Sequence, residues 1–163
     1  MKYDKNYDCP DLHHQLTYPV GINMNKAKRV GKIMAEQLNQ LYPDSNIVLI
    51  CRGSSGSILS SIVATFCENV EKVLYIRKDN EQSHGSGVEH FSPCYRYVIV
   101  DDFIDSGRTL VAIWETLKEY NFPYVDGLIV TQEFTPDRGL LEDSDLYIKN
   151  IICQYTNERQ LIN

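Results

Sequence analysis

The spacing of hydrophobic residues along the chain changes repeatedly between two patterns. Short, largely apolar runs, typical of strands buried on both faces, occur at 47–50, 72–76, 95–100, 124–131 and 147–153. Between them, apolar residues recur every three or four positions, as on one face of a helix, over 25–42, 58–66 and 110–117. Because strands and helices alternate with short connections, we expect an α/β fold whose parallel sheet carries helices on both faces.

Polar or glycine-containing segments follow three of the predicted strands, at 52–57, 78–93 and 101–109. In a parallel sheet the carboxyl ends of the strands form one edge, and ligands bind there. The segment 78–93 lacks apolar periodicity, so we predict a flexible lid over the site. The sequence therefore predicts a ligand site built from loops at this edge of the sheet.

The strongest chemical signal is the segment 97–109, which reads YVIVDDFIDSGRT. Four strand-forming residues lead into Asp101 and Asp102, and a short turn then opens the third predicted helix. Paired carboxylates at the end of a strand can reach vicinal hydroxyls and a divalent cation. The turn at 105–109 presents backbone N–H groups, hydroxyls and the positive end of a helix dipole, which suit a phosphate. We therefore expect a site for a phosphorylated sugar.

This segment resembles, at essentially every position, the phosphoribosyl pyrophosphate (PRPP) signature of the type I phosphoribosyltransferases. It is most similar to the signature of the hypoxanthine-guanine and xanthine enzymes. The resemblance covers about residues 25–131, which we expect to form the core of a single domain spanning 1–163, with a small hood from 1–23 and 132–163. It implies that Asp101 and Asp102 hold Mg²⁺. It also implies a PRPP site that includes Asp101, Asp102, Asp105, Ser106, Gly107, Arg108 and Thr109.

Two other loops extend the resemblance. The segment 51–56 resembles the family's pyrophosphate loop, where a permanent cation and closely approaching amides hold the leaving group; the resemblance implies that Arg52, Gly53 and Ser54 bind PRPP. Family members often have a strained non-proline cis peptide bond in this loop, which implies one near Arg52 and Gly53 here. Lys78 opens a segment that resembles the catalytic loop of the orotate enzymes, which implies that it reaches PRPP. However, Gln82 stands where those enzymes carry a loop lysine, and Asp105 stands where their signature turn usually has a small polar residue. The chain thus mixes features of two subfamilies.

The residues for the acceptor base depart from the family pattern. Gln132 lies near the place of the lysine that reads the base in hypoxanthine-type enzymes, and its amide can both donate and accept. Phe134 or Tyr147 would stack on the base, although a plain hydrophobic contact explains Phe134 equally well. Asp105 would bind or deprotonate a ring nitrogen of a purine, or it caps the third helix; both roles can hold at once.

Composition favours a soluble cytoplasmic protein. The chain has 163 residues and a net charge of −6, which argues against non-specific nucleic-acid binding. No apolar run approaches the ~20 residues needed to span a bilayer, and the first residues lack the apolar core of a secretory signal. Five dispersed cysteines without a Cys-x-x-Cys pair indicate reduced thiols. The resemblance adds the expectation of a homodimer.

The resemblance implies an enzyme, a PRPP-dependent phosphoribosyltransferase (a pentosyltransferase) of nucleotide salvage. It would transfer 5-phosphoribosyl to a nucleobase, with purines favoured, and release pyrophosphate with Mg²⁺ as cofactor. The catalytic candidates are Arg52, Lys78 and Asp105. Two alternatives keep the fold: a PRPP- or nucleotide-binding regulator without turnover, and an enzyme for another acceptor such as orotate. A third, an unrelated flavodoxin-like phosphate binder, would not need paired aspartates before the phosphate turn.

Overall fold

The computed structural model describes residues 24–77, 90–104, 106–131 and 144–153. Within these ranges the helices are α1 (Met24–Leu41), α2 (Gly53–Phe66) and α3 (Arg108–Glu119). The strands are β1 (Asn46–Arg52), β2 (Val70–Ile76), β3 (Tyr95–Val100), β4 (Gly127–Val130) and β5 (Ile151–Cys153). No helix in these ranges is long and apolar enough to cross a membrane.

The strands form one sheet in the order β2-β1-β3-β4-β5, and every neighbouring pair is parallel. The chain passes from β1 to β2 on one side, and later adds β3 on the other side of β1. The direction in which strands are added therefore reverses between β1 and β3. This confirms the predicted α/β class with its parallel sheet.

Two hydrophobic layers enclose the sheet, one on each face. Alternate side chains of β1 point into different layers: Ile47 and Leu49 pack with α1 and α2, whereas Val48 and Ile50 pack with α3. Such alternation follows from the period-2 geometry of a strand. The central strands are therefore apolar on both faces, which explains their continuous hydrophobic runs.

The helix boundaries agree with the sequence at α1 and differ at α2. Helix α1 was predicted over 25–42 and is observed at Met24–Leu41. Helix α2 begins at Gly53, whereas the sequence predicted a loop through Ser57. Glycine and serine have weak helix propensity, but packing of the first turn against the sheet stabilises the helix there. The segment predicted as the pyrophosphate loop is thus the start of a helix.

The last two strands are shorter than predicted and bring part of the C-terminal segment into the sheet. An isolated parallel bridge between Val125 and Ile148 precedes the paired strands β4 and β5. Strand β5 lies at the edge of the sheet, so at least residues 151–153 of the predicted hood extend the core. The rest of 132–163, apart from 144–150, and all of 1–23 lie outside the described residues, and the division into core and hood stays a prediction.

A buried polar cluster around Asp126 ties together the amino ends of three strands. The Asp126 side chain is 2% exposed; its carboxylate accepts the backbone N–H of Tyr97 at 3.0 Å and faces Lys149 Nζ at 3.1 Å. The Tyr42 hydroxyl donates to the Asp126 carbonyl at 2.8 Å. Burial, the largest cause, raises the pKa of Tyr42 to about 12. This cluster stabilises the edge of the sheet opposite the carboxyl ends of the strands.

The described cysteines Cys51, Cys67 and Cys94 are free thiols, as their spacing predicted. Burial raises the pKa of Cys51 and Cys67 above the ordinary thiol value. Both thiols are therefore protonated at neutral pH, and neither is poised as a nucleophile.

Candidate active site

The reversal of strand order places the candidate site between the carboxyl ends of β1 and β3. In open α/β sheets, ligands bind in the crevice at such a switch point. Strand β1 ends at Arg52 and leads directly into α2. Strand β3 ends at Val100 and leads into Asp101 and Asp102. Topology alone thus selects the two segments that the sequence singled out for chemistry.

The two aspartates are nearly buried and held by a defined set of hydrogen bonds. Asp101 is 6% exposed and Asp102 is 4% exposed. The backbone N–H of Asp102 donates to Asp101 Oδ1 at 2.9 Å. The Ser55 hydroxyl donates to Asp102 Oδ1 at 3.0 Å. The acid pair is therefore a fixed feature at the end of the central strand.

The first turn of α2 packs closely against the end of β3. Gly53 has φ 76°, a left-handed conformation that glycine adopts without strain, and it turns the chain from strand to helix. Three residues later, a Cβ on Gly56 would lie 3.1 Å from the carbonyl oxygen of Val100 and 3.7 Å from Asp101 Oδ1. The absence of a side chain at Gly56 lets the start of α2 lie beside the acid pair. The described residues contain no cis peptide bond, so the one expected near Arg52 and Gly53 is not found.

Thr131 fixes the acid pair from the β4 side. Its side chain is 1% exposed, and its hydroxyl donates to the Asp102 carbonyl oxygen in a short hydrogen bond. Its backbone N–H donates to the same oxygen at 3.3 Å. The Asp101 N–H is bonded in turn to the Ile129 carbonyl at 3.2 Å. The backbone of Asp101 and Asp102 thus stays hydrogen-bonded to the neighbouring chain segment at β4, although β3 itself ends at Val100.

The start of α3 provides a second helix N-terminus after the acid pair. Gly107 precedes the helix with φ 80°, a left-handed conformation. Arg108 is exposed, Ser106 and Thr109 are partly exposed, and Gly107 is buried. The residue at the N-cap position is thus Gly107, not Asp105, which lies outside the described residues.

The first turns of α2 and α3 are both suited to anions. The residues at their N-caps are Arg52 and Gly107, and neither has a side-chain oxygen that can accept a helix N–H. Neither first turn contains an acidic residue. Exposed N–H groups and the helix dipole favour a negative ligand at such ends. The described site thus combines two places for anions with one buried pair of carboxylates.

The profile of the phosphoribosyl transferase domain matches residues 20–126, about two thirds of the chain. The chain belongs to the phosphoribosyl transferase domain family. The match spans the acid pair and both helix starts. It confirms the resemblance to type I phosphoribosyltransferases, which are glycosyltransferase-type enzymes. No curated protein matches the chain significantly.

Solved structures of phosphoribosyltransferases share this fold at low sequence identity. Adenine phosphoribosyltransferase from Saccharomyces cerevisiae is similar with a TM-score of 0.58 and 14% identity, covering 90% of this chain and 97% of that one. A purine phosphoribosyltransferase from Pyrococcus horikoshii has a TM-score of 0.52 and 19% identity, covering 87% and 97%. Hypoxanthine-guanine phosphoribosyltransferase from Bacillus anthracis has a TM-score of 0.52 and 16% identity, covering 82% and 79%. These similarities establish the fold.

The donor set of this phosphoribosyl transferase domain fits Mg²⁺ bound together with a substrate. Asp101 and Asp102 supply hard carboxylate oxygens within one site, and Mg²⁺ prefers such ligands. In the part of the chain that the structure describes, no group of three or more His, Cys, Asp or Glu side chains is placed to hold a metal. Mg²⁺ characteristically takes one or two carboxylates plus phosphate oxygens and waters. The two aspartate carboxylates, lying beside two helix N-termini suited to phosphates, agree with this usual coordination of Mg²⁺.

Several predicted site residues lie outside the described ranges. These are Lys78, Asp105, Gln132 and Phe134. The predicted lid is described only at 90–93, where Phe91 packs on Phe122 with ring centroids 5.5 Å apart. Tyr147, the second candidate for base stacking, accepts the Val125 N–H through its carbonyl at 3.0 Å. Since Val125 precedes the end of β4 by five residues, Tyr147 lies about 16 Å from the carboxyl edge.

Ser55 and Thr131 are site residues that the sequence did not reveal. Their partner Asp102 is 47 and 29 positions away, respectively. A hydroxyl residue in a Gly/Ser-rich turn or at the end of a strand has no local feature that reports such a contact. Only the order of strands in the sheet places them beside the acid pair.

Proposed function

We propose that this chain transfers the 5-phosphoribosyl group of PRPP to a ring nitrogen of a nucleobase, with purines favoured, in nucleotide salvage. The observation that carries the proposal is the meeting of a buried acid pair with two helix N-termini at the switch point of the sheet. PRPP carries a 5′-phosphate and a pyrophosphate on a sugar with vicinal hydroxyls, and the site offers a matching group for each of the three.

The two helix starts would bind the phosphates. The turn of Ser106, Gly107, Arg108 and Thr109 at α3 suits the 5′-phosphate, through backbone N–H groups and hydroxyls. Arg52, Gly53 and Ser54 at α2 suit the pyrophosphate, which also needs a cation. Lys78 follows β2, the strand next to β1, by two residues and is proposed to add a second positive charge.

Asp101 and Asp102 would hold the ribose. Their carboxylates accept hydrogen bonds from the vicinal hydroxyls and provide ligands for Mg²⁺. When bound, Mg²⁺ would neutralise charge that builds up on the departing pyrophosphate. Because Ser55 and Thr131 hold Asp102 in place, these ligands are arranged before the substrate arrives.

The reaction exchanges one bond at the anomeric carbon for another. The bond to the pyrophosphate oxygen breaks, and the leaving group takes the electron pair. The lone pair of a ring nitrogen forms the new bond through an oxocarbenium-like transition state. A proton on the acceptor nitrogen passes to a base, a role we propose for Asp105. The protein contributes mainly orientation and electrostatic stabilisation.

The purine preference rests on similarity and on sequence. The solved structures described above that share this fold are adenine, hypoxanthine-guanine and purine phosphoribosyltransferases. Gln132 and Phe134 come two and four positions after the end of β4 in the sequence, and we propose that they contact the base. An amide at Gln132 can serve either a 6-amino or a 6-oxo group. A homodimer and a cytoplasmic location complete the proposal; sedimentation showing a monomer throughout the micromolar range would exclude the dimer.

A turnover assay separates this function from its alternatives. The protein is incubated with PRPP and Mg²⁺ and, one at a time, with adenine, hypoxanthine, guanine, xanthine and orotate. Pyrophosphate and the new nucleotide are measured together. Equal amounts of both products with a purine support the proposal, whereas products with orotate alone indicate the other acceptor class. PRPP binding without products from any base indicates a regulator.

A binding assay tests the acid pair itself. PRPP with Mg²⁺ at a hundred times its dissociation constant should stabilise the protein by about 2.7 kcal/mol, a rise in Tm of about 5–10 °C for a chain of this size. The double variant Asp101→Asn with Asp102→Asn should lose this rise. Asp44→Asn, at an exposed turn after α1, removes a charge away from the site and serves as the matched control. Absence of stabilisation in the unsubstituted protein would show that the proposed function is wrong.

A further inference from the structure

We propose that Ser55 is a positioning residue that fixes the Asp102 carboxylate for the sugar and its metal. The inference rests on the proposed function and gives a role to a residue of the predicted pyrophosphate loop that the resemblance left without one. Ser55 Oγ lies 3.0 Å from Asp102 Oδ1, and the two residues are 47 positions apart. Asp102 is 4% exposed, so this hydroxyl acts on a carboxylate that water reaches poorly.

The direction of the Ser55 hydroxyl distinguishes it from the hydroxyl groups of Ser61 and Thr65 on the same helix. Ser61 donates to the Ser57 carbonyl at 2.8 Å, and Thr65 donates to the Ile62 carbonyl at 2.6 Å. Both bonds stay within the helix, as serine and threonine hydroxyls commonly do. Ser55 instead crosses from helix to strand end and donates to an ionisable side chain of the site.

The contact supplies the restraint that an aspartate lacks by itself. The terminal torsion of an aspartate side chain is broad, so the plane of its carboxylate is set by its neighbours. Thr131 holds the Asp102 main-chain carbonyl but leaves this torsion open. Ser55 occupies one oxygen and thereby orients the other. A hydrogen bond to an ionised acceptor is about twice as strong as a neutral one, so it can select a single orientation.

The contact also joins the two halves of the PRPP site. Ser55 lies three residues after Arg52 on the helix whose start is proposed to bind pyrophosphate. Asp102 is proposed to bind the ribose and Mg²⁺. The Ser55 hydroxyl therefore sets the spacing between the leaving group and the sugar, which must be correct for the bond between them to break.

The test compares Ser55→Ala, which removes the hydroxyl, with Ser55→Thr, which retains one. Ser61→Ala is the matched control, because it removes a serine hydroxyl from the same helix away from the site. PRPP dissociation constants and the Mg²⁺ concentration for half-maximal binding are measured by calorimetric titration. Ser55→Ala should weaken PRPP binding about tenfold, equivalent to about 1.4 kcal/mol, and should raise the Mg²⁺ requirement. Ser55→Thr and Ser61→Ala should both stay within about twofold of the unsubstituted protein.

A second measurement reports the contact without any ligand. Urea unfolding of Ser55→Ala, Asp102→Ala and the double variant forms a thermodynamic cycle. The effects of the two substitutions on the unfolding constant should be non-additive, by about threefold or more. Additive effects would overturn the contact, whatever the binding data show.

The outcomes separate the inference from the proposed function. If the unsubstituted protein does not bind PRPP, the proposed function fails and the role of Ser55 with it. If it binds PRPP while Ser55→Ala behaves like Ser61→Ala, only the inference fails. Equal loss in Ser55→Ala and Ser55→Thr would also overturn it, since the hydroxyl would then not be the group that matters.

Discussion

Replacing Gly56 with alanine tests how closely the start of α2 lies against the end of β3. A Cβ at this position would be 3.1 Å from the Val100 carbonyl oxygen and 3.3 Å from Cys51 Cβ. Ordinary contacts begin at about 3.4 Å. Both neighbours belong to central strands and cannot rotate away, so the first turn of α2 must move outward by a few tenths of an ångström.

Two opposing effects set the expected change in stability. Alanine is favoured over glycine in a helix interior by about 1 kcal/mol, although Gly56 lies in the first turn and gains less. Overpacking a close contact costs about 1–3 kcal/mol. We therefore expect the free energy of unfolding to fall by about 1 kcal/mol. The same movement carries Ser55 away from Asp102, so PRPP affinity should fall about tenfold, as it does for loss of a bond worth about 1.4 kcal/mol.

The assay combines urea unfolding with titration of PRPP in the presence of Mg²⁺. Gly31→Ala is the control: its Cβ would clash with Ile62 Cγ2, between α1 and α2. Ile62 is nine residues along α2 from Gly53, about 13 Å from the start of the helix. Gly31→Ala should lower stability and leave PRPP affinity within about twofold. If Gly56→Ala stabilises the protein and binds PRPP normally, the close packing of α2 on β3 is not what shapes the site.

Three further substitutions probe the acid pair and the opposite edge of the sheet. Thr131→Val removes the hydroxyl bonded to the Asp102 carbonyl; PRPP affinity should fall about three- to tenfold and stability by about 1 kcal/mol, and unchanged affinity by titration would contradict the role of this bond. Asp126→Asn should lower the free energy of unfolding by about 1–2 kcal/mol. The loss is no larger because the charged partners Arg96 and Lys149 are partly exposed, and solvent weakens their attraction to Asp126. PRPP affinity should not change, because the cluster lies at the amino edge; a loss in titration would show that the two edges are coupled. Burial raises the pKa of Tyr42 from 10.0 to about 12. The contribution of the protonated Tyr42 hydroxyl to stability is therefore fully present below pH 10 and is lost as the pH rises towards 12. Tyr42→Phe should therefore reduce the loss of stability between pH 9 and pH 11.5 by about 2 kcal/mol in urea unfolding; an identical loss in both proteins would refute the assignment.

The fold was predictable because its core obeys simple periodicities. The runs at 47–50 and 97–100 are buried and largely apolar at every position, as expected of strands covered on both faces, and α1 presents Val30, Met34 and Leu38 at helical spacing. The prediction was wrong about the start of α2, where weak helix formers are held in a helix by packing on the sheet. It also overextended β4: the Asp126 N–H still donates to the Tyr97 carbonyl, but the Tyr97 N–H is bonded to the Asp126 carboxylate and not to a backbone carbonyl, and β4 begins at Gly127.

The candidate site was predictable only where its residues are contiguous. Asp101, Asp102 and the turn after them form one contiguous segment, so their chemistry can be predicted from the sequence without knowledge of the fold. Ser55, at the start of α2, and Thr131, just after β4, both bond Asp102. No local sequence pattern indicates contacts between residues so far apart in the chain. A side-chain hydroxyl has many possible partners in a sequence, and the order of strands selects one. The roles of Lys78, Asp105, Gln132 and Phe134 stay predictions.

The way the chain returns to the sheet after β4 has a consequence for how this protein can diversify. The backbone is fixed at Thr131, and it is fixed again at Ser144, whose carbonyl accepts the Trp114 indole N–H at 3.1 Å before β5 begins. The segment between these anchors starts at the edge where the acceptor would enter. In general, doubling the number of residues between two fixed points of a chain adds only about 0.6 kcal/mol of closure entropy. Insertions and replacements between Thr131 and Ser144 should thus be tolerated far better than changes in β3 or α2. Under the proposed function, sequence changes confined to this interval could alter the acceptor while the residues proposed to bind the sugar stay unchanged.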